Sequence, residues 1–308
     1  MNVRFMAIVM AVVAATLAES AQAWDDEGHM MVAAIAWADL SAASRVRVSQ
    51  LLKLNPDYAT WIQDVPPAEQ DQIAFVTAAT WPDKIKSEPD YTFDGNRPST
   101  ANAAQNIGYS DHLQHRYWHF IDIPLSTDNT PLVRPMAPNA ETQIQLFEMA
   151  IGSNSLSDDI KSYDLAWLEH LVGDVHQPLH ATSRFSQELP NGDQGGNLVA
   201  LCAKPCRDEL HAFWDNVLGT SKSPEVAIAA AALLPAAPST EAGIADEKVW
   251  VNESFAAARR FAYAPPVGPG AGPYTLDASY TQAAKAEAAK RVALAGARLA
   301  NLINTNLR

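Results

Sequence analysis

Histidine and aspartate side chains occur in this chain at spacings that would let them share a metal ion. His170 and Asp174 are four residues apart, and so are His211 and Asp215, with His180 between the two pairs. Residues four apart lie on one face of a helix, and imidazole nitrogens and carboxylate oxygens are common zinc ligands. One such pair is typical of surfaces and helix ends, but two pairs with a histidine between them favour a metal site.

The overall charge limits what such a site could do. The eight histidines all lie between His29 and His211, and the formal net charge is −13. That charge argues against phosphate binding through a broad basic surface, which is the usual property of nucleic-acid-binding proteins. A phosphodiesterase with this composition would have to bind phosphate through metal ions.

The elements that must position these side chains are predicted to be helices. Ala and Leu are common, and alternating β-branched runs are scarce. Helices are predicted over residues 28–40, 44–54, 70–81, 140–151, 156–174, 208–218, 225–234, 244–262 and about 277–307. Pro- and Gly-rich stretches at 88–109 and 185–197 predict loops. Without a repeat or a domain boundary, residues 24–308 are predicted to be one mainly helical, all-α domain with long loops.

The first 23 residues have the pattern of a signal peptide. Arg4 precedes an apolar stretch from Phe5 to Leu17, and residues 21–23 (AQA) form a small-x-small cleavage site. The alternative is an uncleaved anchor, but the apolar stretch is short for a bilayer. We therefore expect an exported protein, periplasmic or secreted, that begins at Trp24 and has no membrane span.

The two cysteines, Cys202 and Cys206, are separated by three residues. In an exported chain this favours a local disulfide. The alternative, a two-cysteine metal site, would need two further ligands nearby.

Short motifs in chain order resemble the S1/P1 nuclease family, the secreted three-zinc nucleases of moulds, plants and bacteria. The motifs are WDDEGH at 24–29, WPD at 81–83, WHFID at 118–122, HLVGDVHQPLH at 170–180, GGN at 195–197, LHAFWD at 210–215 and WVNES at 250–254. The resemblance covers residues 24–308 and implies a phospholipase C/nuclease-like three-zinc fold.

The resemblance implies three Zn²⁺ ions and their ligands. One ion would be held by Asp83, His119, His170 and Asp174, a second by Trp24 and His29 with Asp174 bridging, and a third by His180, His211 and Asp215. Trp24 would bind through its α-amine and carbonyl oxygen, and an α-amine has a pKa near 8. An uncleaved chain has an amide at that position, so it is expected to be nearly inactive.

The resemblance also implies an endonuclease that cuts single-stranded DNA and RNA to 5′-nucleotides and removes 3′ phosphates from mononucleotides, without a stable protein partner. Asp83 would orient or deprotonate the attacking water. Lys86 and Asn197 would contact phosphate, and Phe120 would stack on a base. Read without the family, the same three residues would be a solvated lysine, part of a turn and a core aromatic.

Two other classes compete with the nuclease. A zinc-dependent phospholipase C has a similar ligand framework, but His29 follows Trp24 by five residues and Asp215 replaces a glutamate, which favours the nuclease. The other is a secreted zinc-binding protein without turnover.

Glu209 departs from the Asn frequent in relatives. Outside the ligand set, His112 and His115 are expected at the surface, and His176 at the surface or behind the ligands.

Overall fold

The computed structural model describes residues 24–98, 105–203 and 208–307. The predicted signal peptide at 1–23 and Cys206 lie outside the described residues. The export signal and the Cys202–Cys206 disulfide therefore stay predictions.

Helices joined by long loops make up most of the described chain. They are α1 Asp26–Asp39, α2 Ala42–Leu52, α3 Tyr58–Trp61, α4 Gln70–Ala78, α5 Trp81–Lys84, α6 Ala140–Gly152, α7 Asp158–Asp174, α8 Leu210–Asn216, α9 Pro224–Ala231, α10 Ser239–Ala242, α11 Glu247–Ala257 and α12 Ala278–Asn306. In the described ranges the strands are β1 Pro124–Ser126 and β2 Ser183–Phe185, which pair in parallel. The predicted mainly helical, all-α class is confirmed.

Helix α7 lies at the centre of the fold. From residue 161 to residue 174 every side chain is buried, so only the first turn of this helix faces solvent. It packs against α1, α2, α6 and α12. Because a helix enclosed in this way is apolar or internally paired on all faces, its polar residues His170 and Asp174 must find partners inside the protein.

Helix α1 is held close to α12 by a glycine. A Cβ atom on Gly296 would lie 2.6 Å from the Ile35 Cβ and 2.8 Å from the Val32 carbonyl oxygen, which a real side chain cannot do. The close approach fixes α1, and with it His29, against the centre of the molecule.

The short sheet brings two distant segments together. The backbone N–H of Ile121 donates to the His180 carbonyl at 2.8 Å, and that of Ser183 donates to the Ile123 carbonyl at 3.1 Å. These bonds continue into the β1–β2 pair. They place the segment that carries His119 directly beside the segment that carries His180.

One predicted boundary is wrong in a way that matters for the site. The sequence pattern ends a helix near Trp81, with Pro82 as its stop. Helix α4 instead ends at Ala78, and Pro82 lies in the first turn of a new short helix, α5. Proline is favoured there because its missing N–H would be unpaired anyway. This second helix carries Asp83. The short helices α3 and α10 were also not predicted.

None of the helices in the described part of the chain combines the length and the apolar character needed to cross a bilayer.

Candidate metal centre

Three groups of buried histidine and aspartate side chains could each hold a metal ion. They are His29 with Asp83 and His170, then His119 with His170 and Asp174, and finally His180 with His211 and Asp215. Within each group the candidate ligand atoms all lie within 4.8 Å of one another. The groups contain all eight side chains that the resemblance implies as ligands, so the fold brings the whole predicted set together.

The first two groups meet around the carboxylate of Asp174. Its oxygens lie 3.4 Å from His29 Nε2, 3.1 Å from His119 Nδ1, 3.3 Å from His170 Nε2 and 3.9 Å from His180 Nδ1. Asp83 reaches the same space from α5, with one carboxylate oxygen 3.7 Å from both His119 Nδ1 and His170 Nε2. The single aspartate at the end of α7 thus connects histidines from four segments.

The third group lies next to the first two. His180 Nε2 is 3.1 Å from His211 Nε2, which is 3.4 Å from an oxygen of Asp215. The side chain of Gln177, which is fully buried, donates to the other Asp215 oxygen at 2.6 Å. The Gln177 side-chain oxygen in turn accepts from the backbone N–H of Leu179. Gln177 therefore fixes the orientation of the Asp215 carboxylate, a role that sequence spacing could not indicate.

Backbone carbonyl groups fix the tautomer of three histidines. Nδ1 lies 2.7 Å from the Ala79 carbonyl oxygen in His170, 2.7 Å from that of His119 in His180, and 2.7 Å from that of Gly195 in His211. A carbonyl accepts only a protonated nitrogen, so Nε2 of each ring carries the free lone pair. This second hydrogen bond is typical of metal-binding histidines.

The turn that holds His211 requires glycine. Gly195 has φ +62°, and a Cβ there would lie 2.4 Å from the Leu179 carbonyl oxygen. The carbonyl of Gly195 is the acceptor for His211. The GGN motif therefore has a structural function in orienting this ring, separate from any contact that Asn197 makes with substrate.

Burial controls the protonation of the centre. It lowers the pKa of His170 to about 4 and that of His119 well below the usual value, so these imidazoles are neutral. Burial also raises the pKa of Asp174 to about 7 and that of Asp215 well above its usual range. For Asp83 burial acts in the same direction, but Lys86 and His170 outweigh it and lower its pKa to about 2.

A cation fits this arrangement. Three buried atoms have no hydrogen-bond partner among the described residues: both ring nitrogens of His29 and Oδ1 of Asp174. Buried polar atoms are normally paired, and buried carboxylates require a counter-charge. Neutral imidazoles gathered beside the carboxylates of Asp83, Asp174 and Asp215 are the donor set that zinc prefers.

Trp24 lies against this centre. The side chain is fully buried and its indole N–H donates to the Gly173 carbonyl at 3.0 Å. The next backbone N–H, of Asp25, donates to the Asp215 carbonyl at 3.1 Å. The segment is thus bound to α7 and α8, where the groups meet. Its predicted ligation through the α-amine remains a prediction.

The three predicted substrate contacts have different surroundings. Lys86 is buried and its ammonium group pairs with Asp83, so it is not a solvated lysine. Asn197 donates to the Gln194 carbonyl at 2.7 Å within its own turn. Phe120 is half-buried, packs on the core and lines an open cavity. Their roles toward substrate stay predictions.

The cavity beside Phe120 is open to solvent and has a volume of about 70 Å³. Its walls come from residues 96–98, 120–122 and 133–136, with further contributions from Tyr117, from residues 138–139 and from parts of 183–194. Asp122, Arg97 and Arg134 are among the lining residues. Burial and the neighbouring Asp193 raise the pKa of Asp122 to about 6. Apart from the WHFID motif, no pattern in the sequence indicated this cavity.

Two histidines outside the ligand set are also buried. The prediction of a surface position for His115 is wrong, because its ring stacks on Trp118 at 3.5 Å and lies 2.7 Å from Asp111. Its second nitrogen lies 3.1 Å from Asp94. His176 is fully buried, with Nδ1 donating to the Val172 carbonyl at 2.7 Å and Nε2 accepting from Arg298 at 2.9 Å.

A mainly helical protein with three adjoining buried His/Asp groups, two of which meet at one carboxylate, defines a class of metal-dependent protein, and comparison with known proteins agrees. The family model for the S1/P1 nuclease matches residues 24–308, so the chain belongs to the S1/P1 nuclease family.

Individual relatives are more distant. The chain is similar to Endonuclease 4 of Arabidopsis thaliana, 25% identical over 217 residues, which is 66% of this chain and 57% of the relative. Endonuclease 3 of the same plant is 26% identical over 213 residues, 69% of this chain and 60% of the relative. The matches thus span less than two thirds of these relatives.

Proposed function

We propose that this protein is a zinc-dependent endonuclease that hydrolyses phosphodiester bonds of single-stranded DNA and RNA to 5′-nucleotides. It would also remove the 3′ phosphate from mononucleotides. The observation that carries the proposal is the set of three adjoining buried His/Asp groups, in a chain of the S1/P1 nuclease family. The endonuclease names of its relatives agree with it.

Three zinc ions would occupy the centre. Asp83, His119, His170 and Asp174 would hold one, Trp24 and His29 with Asp174 a second, and His180, His211 and Asp215 the third. When bound, zinc supplies a Lewis acid that neutralises phosphate charge and makes water nucleophilic near neutral pH. The net charge of −13 makes such cations necessary if the protein is to bind a polyanion.

The reaction adds water to phosphorus and breaks the P–O3′ bond, which leaves the phosphate on the 5′ side and a free 3′ hydroxyl. Asp83, which is ionised and buried, would accept a hydrogen bond from the attacking water and orient it. The ammonium group of Lys86 pairs with the Asp83 carboxylate and would turn toward the phosphate oxygens when substrate enters. Asn197 would donate a further hydrogen bond to phosphate.

A preference for single strands would come from the cavity beside Phe120. A base that enters it must first leave its stack and its pairing partner, and a single strand requires less energy for this. Phe120 would stack on that base.

We also propose that the protein is exported, to the periplasm or the medium. The support is the signal-peptide pattern of residues 1–23.

The test is to incubate protein that begins at Trp24 with single-stranded DNA and with RNA, with and without a chelator, and to identify the products. We expect 5′-mononucleotides, their loss with chelator and their return with added zinc. Zinc content measured on the same sample should approach three ions per chain.

Two outcomes would point elsewhere. If a folded, zinc-loaded sample cut no nucleic acid but released phosphocholine from phosphatidylcholine, the protein would be a phospholipase C. If the sample turned over neither substrate, it would be a zinc-binding protein without catalytic function.

A further inference from the structure

Two exposed arginines lie at the cavity beside Phe120. Arg97 reaches it from the segment 96–98 and Arg134 from the loop 127–139, and both side chains are exposed. No carboxylate of the described ranges forms an ion pair with either guanidinium; the ion pairs found there involve other arginines, at positions 47, 184, 291 and 298. Arg97 lies near enough to Asp122 to oppose the rise in the pKa of that carboxyl, but neither arginine is held in an ion pair within the described ranges, so both guanidinium groups can contact an anion.

Most of the other arginines in the described residues have protein partners. Arg184 donates to the carbonyls of Gly268 and Gly270, and Arg298 binds Glu253 through both of its terminal nitrogens. These side chains stabilise the fold. Arg97 and Arg134 do not serve the fold in this way, which leaves recognition as the physical reason for placing them at the same cavity.

The loop that carries Arg134 also exposes apolar side chains. Leu132, Val133 and Met136 are 52%, 54% and 53% exposed, whereas large apolar side chains are mostly buried elsewhere. Single-stranded nucleic acid binds where cationic groups follow its phosphates and aromatic rings stack on its bases. At this cavity Phe120 supplies the ring, and the apolar side chains of the loop extend the surface beside it.

The ends of this loop are fixed, although its middle is exposed. At one end Asp128 accepts from the Thr130 hydroxyl at 2.6 Å and from the Gln187 backbone N–H at 2.8 Å. At the other end Asn139 and Thr142 form a capping box that starts α6. The exposed residues are thus held beside the cavity by two anchored ends.

We propose that Arg97 and Arg134, with the exposed side chains of the loop 127–139, form a surface for a single strand of nucleic acid beyond the bond that is cut. This inference rests on the proposed function. The phosphate to be cut would lie at the buried centre with Lys86, whereas these arginines lie at the surface and bind phosphates of the flanking nucleotides. The protein therefore favours oligonucleotides over the shortest substrates.

The test compares two substrates with zinc-loaded protein that begins at Trp24. A dinucleoside monophosphate carries only the phosphate to be cut, whereas an oligonucleotide of about twelve residues also has flanking phosphates. In the variant Arg97→Gln/Arg134→Gln we expect KM for the oligonucleotide to rise about tenfold, with kcat unchanged. KM for the dinucleotide should change by less than about twofold, because no flanking phosphate is lost.

Salt dependence gives a second measurement. For a single strand each phosphate contact contributes about 0.7 to the slope of log affinity against log salt. The double variant should therefore show a slope for oligonucleotide binding that is shallower by about 1.4. The matched control is Arg259→Gln/Arg260→Gln, which removes the same charge from two exposed arginines outside the cavity. The control should retain the parent slope.

The outcomes separate the two proposals. If the parent cuts the oligonucleotide but the two double variants behave alike, or if the Arg97/Arg134 variant affects both substrates equally, the flanking-strand surface is wrong and the nuclease remains. If the folded, zinc-loaded parent neither binds nor cuts either substrate, the proposed function and this inference both fall.

Discussion

The metal centre and the rim of the cavity beside Phe120 are built in opposite ways. The centre is buried, its ligands come mainly from helices, and backbone carbonyls fix its rings. The rim is exposed, comes from loops, and its two arginines have no ion-pair partner in the described chain. The centre requires positions accurate to fractions of an ångström, which enclosed elements provide. The rim has to follow a flexible strand, for which anchored loops are suited.

The comparison predicts the largest effect at the carboxylate that joins the groups. Asp174→Asn should remove a negative charge that lies within 3.4 Å of His29, His119 and His170. Metal ions contribute several kcal/mol to such reactions, so kcat should fall by about a thousandfold or more. Zinc content should fall by up to two ions per chain.

The matched control is Asp164→Asn, on the same helix and equally buried. Asp164 accepts from the Asn106 amide at 2.7 and 2.8 Å and belongs to none of the metal-binding groups. We expect it to retain zinc and turnover. Equal losses in the two variants would mean that α7 tolerates no change at a buried carboxylate, and that Asp174 has no special role.

An intermediate effect is expected at Gln177, which touches the centre only through Asp215. Gln177→Leu removes the donor to Asp215 and the acceptor for Leu179, so the carboxylate is free to rotate. Loss of such a supporting contact lowers metal affinity about 10- to 100-fold. Competition with a chelator should release one zinc early and leave the others bound. Gln143→Leu, a buried glutamine on α6, should release none. Simultaneous release of all zinc would contradict separate groups.

The difference between a metal centre built on helices and a rim built on loops also explains what can be predicted from the sequence. The pairs His170/Asp174 and His211/Asp215 were readable because helical spacing alone places them on one face. The mainly helical class followed from composition. Gln177 could not be found in this way, because its partner Asp215 is 38 residues away and only the folded chain brings them together.

The two arginines at the rim are harder to predict from the sequence than the metal ligands. Arg97 and Arg134 belong to loops without periodicity, so no spacing indicates that they share a cavity. His115 was misplaced for a related reason. The polar residues around His115 predict a surface position, but pairing with Asp111 and Asp94 allows the ring to be buried. Helix α5 was missed because Pro82 indicates an end and a beginning equally well.

The smallest effect is expected at Asp122, in the wall of the cavity beside Phe120, and concerns the pH dependence of binding. Burial and Asp193 raise the pKa of Asp122 to about 6. Below that pH the carboxyl is neutral, and above it a negative charge faces an anionic strand, so KM for single-stranded DNA should rise between pH 5 and pH 7. One such charge contributes about 1 kcal/mol near a surface, or roughly fivefold. Asp122→Asn should remove this rise.

The pH dependence of the free energy of unfolding tests, without substrate, whether Asp122 is the titrating group. The unfolded carboxyl titrates near pH 4, whereas the folded one keeps its proton until about pH 6. The folded state therefore binds more protons in this window, and the stability that Asp122 contributes is lost as the pH rises from about 4 to about 6. Urea unfolding of the parent and of Asp122→Asn should diverge in that window and run parallel above it. If the variant retains the parent's change in KM, a group other than Asp122 titrates in this range, and Asp122 does not make binding pH-dependent.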